Sequence, residues 1–249
     1  MTRRALALGA FALSAGLALV CSFRILPCSA AVERTQLANG SALIVRRDAS
    51  LPMVAIELWF RAPSIGFRSP VIGLSRYAAT AIAASPQEHS PSISQLIKGL
   101  GGRFTIGANA DAVSVAASVP AQSARQVLRA LTTAYFTPAL SQKSMRSALR
   151  EVAIAGAQQQ LDPEATLHDA LFSQLFISGA AHYATVPNSA SALSHVSFGE
   201  LKAFAARAFR STNAILTVAG YAPENVGISV AGHPARQAME NPVDSTPAQ

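Results

Sequence analysis

Hydrophobic and polar positions along the chain change period several times, and each change marks an element. From Glu33 to Asp48 they alternate about Asn39-Gly40, with Leu43 and Val45 on one side and Ala42 and Ile44 on the other. Two such arms around Asn-Gly predict a β-hairpin closed by a type I′ turn, because both turn residues tolerate positive φ. Met53 to Ala62 predicts a further strand, in which Val54, Ile56, Leu58 and Phe60 share one face by the two-residue period of a pleated chain. After a loop from Pro63 to Pro70 the pattern predicts a helix over 71–84, ending before Pro86. A second helix over 92–100 stops at Gly101-Gly102, since glycine accepts the left-handed conformation that ends helices.

Two strands follow, near 103–107 and 112–118, and then helices over 123–136, 142–159, 163–176 and 197–209. The last opens on Ser197-x-x-Glu200, a capping box whose side chains satisfy free backbone amides of the first turn. Residues 213–218 return to a strand, and the tail from Glu240 is polar and contains proline. Strands and helices in this order, without an internal repeat, predict one α+β domain.

Composition sharpens that picture. Only 13% of the 249 residues are charged and 50% are hydrophobic, against about 25% charged in an average soluble chain. Disorder and a coiled coil are thereby excluded. Part of the apolar excess sits in one segment: Arg3-Arg4, nineteen uncharged residues from Ala5 to Phe23, Arg24, then Pro27-Cys28-Ser29-Ala30-Ala31. A basic start, an apolar stretch and small residues at the end predict a signal peptide over 1–31 and a secreted or periplasmic product. The alternative is an uncleaved inner-membrane anchor, because the stretch approaches the length of a bilayer span. Both cysteines, Cys21 and Cys28, lie in this segment, so its removal leaves no thiol. Three of the seven net positive charges leave with Arg3, Arg4 and Arg24. The remaining charge is scattered and makes no case for nucleic acid.

Several landmarks carry a family resemblance. Leu37-Ala38-Asn39-Gly40 in a hairpin, a strand after Leu51-Pro52, and Gly73-Leu74 opening a helix come first. Leu100-Gly101-Gly102, Pro138, Asp162-Pro163, His182-Tyr183 and the closing stretch Asn213 to Gly220 follow in order. Over about residues 33–221 this resembles the pitrilysin/insulinase family of zinc metallopeptidases. The resemblance implies an antiparallel sheet with helices packed on one face. It also implies a peptidase domain of first-half type over 32–222 and a truncated, polar end over 223–249.

The same resemblance implies a zinc site at His-x-x-Glu-His on the first long helix. Two histidines one turn apart hold a metal, and the glutamate between them takes a proton from the bound water. The matching positions here are Arg76, Ala79 and Thr80. Arginine offers only donors and a permanent positive charge, alanine has no base, and a threonine hydroxyl is a poor zinc ligand. The family's third ligand falls on Ala155. All four groups are missing, so neither a catalytic residue nor a bound metal cofactor is expected. His89, His168, His182, His195 and His233 show no ligand spacing among themselves.

What the sequence leads one to expect is a family-shaped surface without its metal. Arg76 and Glu151 are candidates for an ion pair in the space of the zinc site, with Arg76 reaching solvent as the alternative. The strand after Gly102, through Phe104, Ile106, Ala108 and Asn109, is a candidate edge for an extended peptide, which adds to a sheet by main-chain hydrogen bonds. The expected role is a non-catalytic subunit paired with a zinc-bearing homologue around a peptide chamber. The alternatives are a stand-alone remnant and a peptidase whose ligands come from elsewhere.

Overall fold

The computed structural model describes residues 32–61, 73–86, 91–109, 112–164, 166–167, 170–171 and 193–230. The predicted signal segment, the loop 63–70, most of the helix expected over 163–176, and His89, His168, His182 and His233 lie outside them. So does the tail. Within Val32–Gln249, a compact unit of its own, the elements come in the expected order. These are β1 (Val32–Gln36), β2 (Ala42–Arg47), β3 (Met53–Arg61), α1 (Leu74–Ala84), α2 (Ile93–Gly99), β4 (Arg103–Ala108), β5 (Ala112–Pro120), α3 (Ala124–Phe136), α4 (Gln142–Gln160), α5 (Phe198–Ala208) and β6 (Ala214–Gly220).

The strands form one sheet in the order β1-β2-β6-β3-β5-β4. Four of its ladders are antiparallel, as the resemblance implied, and β2 with β6 is parallel. The exception follows from the chain path. β2 and β3 run in opposite directions but are not neighbours, because β6 lies between them with Leu43 opposite Leu216 and Leu58 opposite Leu216 from the other side. The link from β2 to β3 therefore crosses two interstrand spacings, about 9.6 Å. Its turn is fixed by the Asp48 carboxylate, which accepts from the Ser50 amide at 2.9 Å. That bond and the Ser50 side chain hold the Asp48 carboxyl below its ordinary pKa.

The β1–β2 turn differs from expectation. Gly40 has φ +84°, but Asn39 is not among the positive-φ residues, so the turn is not type I′. The Gly40 amide donates to the Leu37 carbonyl at 2.9 Å, and the Leu37 amide donates to Ser41 at 2.8 Å. This is a type I turn followed by a left-handed glycine, the usual three-residue hairpin loop. Tertiary contacts select it, since the Ser211 hydroxyl donates to the Asn39 carbonyl at 2.7 Å.

One face of the sheet holds the core. Val54, Ile56, Leu58 and Phe60 of β3 meet Val113, Val115, Ala117 and Val119 of β5 and Leu216 and Val218 of β6, all buried. Over them pack α1, α3 and α5 through Tyr77, Ile82, Leu128, Leu131, Tyr135, Leu201 and Phe204. The Phe60 ring lies 5.0 Å from Phe209 and 6.1 Å from Tyr135, centroid to centroid. The other face carries Met53, Ala55, Glu57, Trp59 and Arg61 from β3, and Ile215 sits directly opposite Trp59. Both of these large side chains are exposed, at 37% and 44%.

Candidate functional site

The site expected from the sequence falls on α1, and the sequence explains why that helix forms. Gly73 enters it with φ +84°, and alanines at 78, 79, 81, 83 and 84 favour the helix and let neighbours approach. Ser85 ends it, its hydroxyl shared between the Ala81 carbonyl and the Ser144 hydroxyl, each at 2.8 Å. That contact ties the end of α1 to the first turn of α4, where Ser144 also forms the capping box with Ser141.

Arg76 is half-buried in the first turn of α1, while Ala79 and Thr80 are buried. The Thr80 hydroxyl donates back to the Arg76 carbonyl at 2.9 Å, so its proton is spent within the helix. Ala155 is half-buried and Glu151 exposed on α4, the helix that packs on α1. The four degenerate positions thus lie on two packed helices. Among the described residues no group of three His, Cys, Asp or Glu side chains could hold an ion.

The Arg76–Glu151 pair is not formed. Among the described residues the ion pair within 4.0 Å joins Arg47 to Glu33. The structure instead supplies a group that periodicity did not single out. The Tyr135 hydroxyl reaches from α3 to the Ala79 carbonyl at 2.9 Å. Burial pushes its pKa well above the ordinary phenol value, and the Glu151 carboxylate adds to the rise. The Ala79 carbonyl therefore accepts from a buried phenol. The signal available in the sequence was only that a buried tyrosine usually finds a partner for its hydroxyl.

Tyr77, next to Arg76, is the contrary case. Its ring is buried, its hydroxyl has no hydrogen-bond partner among the described residues, and burial raises its pKa.

Among the described residues β4 lies at one end of the sheet, paired with β5 alone. Phe104 and Ile106 are half-buried and pack against the core, while Ala108 is exposed. Gly102 permits the close start of this strand, since a Cβ there would lie 2.6 Å from Val119 Cγ1. Asn109 is not a strand residue. Its amide donates to the Ala112 carbonyl at 2.9 Å and its side-chain oxygen accepts from the Ala112 amide at 2.7 Å, so it closes the β4–β5 connection. β1, the opposite edge, presents the charged Glu33 and Arg34.

No family model matches the sequence, and no curated protein does. Solved structures do match. One is described as a peptidase M16 inactive domain from Pseudomonas fluorescens, with a TM-score of 0.65 and 19% identity over 85% of this chain and 54% of the other. Another is a protease from Helicobacter pylori, with a TM-score of 0.69 and 12% identity over 85% of this chain and 53% of the other. The chain spans about half the length of each.

Proposed function

From a chain with the fold of pitrilysin/insulinase-type peptidase domains, we infer a non-catalytic subunit that pairs with a zinc-bearing homologue and helps to line a peptide chamber. The observation that carries the first half of this reading is the set Arg76, Ala79, Thr80 and Ala155, in which no side chain can bind zinc or activate water. The hydroxyl of Thr80 is committed to its own helix, and Ala79 is sealed under Tyr135.

Pairing draws support from the uncovered side of the sheet. A solvated sheet face normally alternates polar residues outward. Here β3 and β6 turn outward Trp59 and Ile215 side by side, with Met53 and Ala55 further along, among the polar Glu57, Arg61, Ser114, Ser118 and Thr217. Peptide binding draws support from the contrast between edges. Charged residues discourage strand addition, and β4 carries Arg103 alone where β1 carries two charges.

Co-elution of the purified chain with a His-x-x-Glu-His homologue from the same periplasm is the expected result. Trp59→Arg with Ile215→Glu should abolish it without unfolding the domain. About one zinc per chain, with chelator-sensitive cleavage of a peptide by the chain alone, would overturn the inactive assignment. Elution as a lone monomer beside every such homologue would favour the remnant.

A further inference from the structure

We propose that the solvent-facing stripe of α4 docks on anionic lipid headgroups. Lys143, Arg146, Arg150, Ile154, Ala157 and Leu161 follow one another at three or four residues, so they line one side of the helix. All six are exposed, and Ser144, Ala148 and Val152 on the opposite side are buried. The stripe is cationic in its first half and aliphatic in its second. Ile154 is 61% exposed and Leu161 84%, and Leu167 and Leu171 continue the exposed aliphatics beyond the helix.

Neither half is explained by the helix itself. A helix N-terminus favours anions and disfavours cations, yet α4 has no acid in its first turn and three cations in its first nine residues. Among the described residues those cations lie beyond 4.0 Å of any carboxylate. Glu151 is the one acid of α4, and among the described residues it forms no ion pair within 4.0 Å. An outward aliphatic patch gains nothing from water.

The occupant is chosen by chemistry. Protein-binding hot spots are rich in Trp and Tyr and poor in Leu, and this stripe has no aromatic residue. Unpaired cations beside exposed aliphatics are the combination by which a helix lying flat engages an anionic bilayer, with ammonium and guanidinium groups at phosphates and aliphatics at the acyl boundary. From Lys143 to Leu161 the stripe runs about 27 Å. It lies on the helical layer, so docking there leaves the outer sheet face and the β4 edge free. This inference is independent of pairing.

The test is co-sedimentation of the chain from Val32 onward, whose core lies wholly within that unit, with phosphatidylcholine vesicles with and without phosphatidylglycerol. Binding is expected only to the anionic vesicles. Each cation is worth roughly fivefold at such a surface, so Lys143→Gln with Arg146→Gln and Arg150→Gln should weaken it about a hundredfold. Ile154→Ser with Leu161→Ser should weaken it at unchanged salt dependence, circular dichroism confirming the fold of both variants. Failure to bind anionic vesicles, equal binding to neutral ones, or binding that both variants retain overturns the proposal. Binding to native membranes but not to protein-free vesicles overturns it in favour of a membrane protein as partner.

Discussion

Two buried tyrosines on neighbouring helices face opposite consequences. Tyr135→Phe removes the bond to the Ala79 carbonyl and should cost about 1 kcal/mol in urea unfolding. Tyr77→Phe removes a hydroxyl that has no partner among the described residues and should stabilise the fold by about 1 kcal/mol. The Tyr135 phenol is held above its ordinary value of 10.0 in the folded protein. Its contribution is therefore complete below pH 10.0 and is lost as pH rises above that, where the unfolded chain ionises and the folded one resists. The alkaline fall in stability should be shallower in Tyr135→Phe, and an unchanged slope would refute that assignment. Ala79→Glu places a carboxylate where the side chain is fully buried, and should cost at least about 3 kcal/mol. At this scale the sequence told which groups were absent from positions 76, 79, 80 and 155. It could not tell that Tyr135 had come to Ala79, because a partner 56 residues away leaves no mark on local periodicity.

At the level of elements, caps and glycines set the boundaries. The Ser197 hydroxyl and amide both bond Glu200, at 2.6 and 2.8 Å, and hold its carboxyl below the ordinary pKa. That lowered value means stability present above the unfolded pKa and lost as pH falls through the folded one. In Ser197→Ala the Glu200 titration, followed by NMR, should move up toward the ordinary value and α5 should fray at its start. Gly220 is stricter. It has φ +103°, and a Cβ would stand 2.3 Å from the Met53 carbonyl oxygen. Gly220→Ala should cost about 3 kcal/mol, from the left-handed conformation and the clash together, visible as a lowered urea midpoint. Most elements were legible because period, caps and glycine ends agree locally, as at Ser92, Gly101 and Ser197. The β1–β2 turn was misread in type, because Asn39-Gly40 permits two turns and docking against Ser211 chooses between them.

For the whole molecule, the α+β class and helices on one face were legible, and the place of β6 was not. A strand inserted between two sequence neighbours is decided by pairing energy between distant segments, which a one-dimensional pattern does not contain. That insertion has a temporal side. Among the described residues the β1–β2 hairpin joins the rest of the sheet through β6, and β6 is the last of the described strands in chain order. Until residues 214–220 arrive, the first sixteen residues of the domain have no ladder to join, and a chain stopped before Ala214 should leave their amides as fast in hydrogen exchange as those of an isolated peptide. The six-stranded sheet is thus closed like a latch whose bolt is made after the parts it joins.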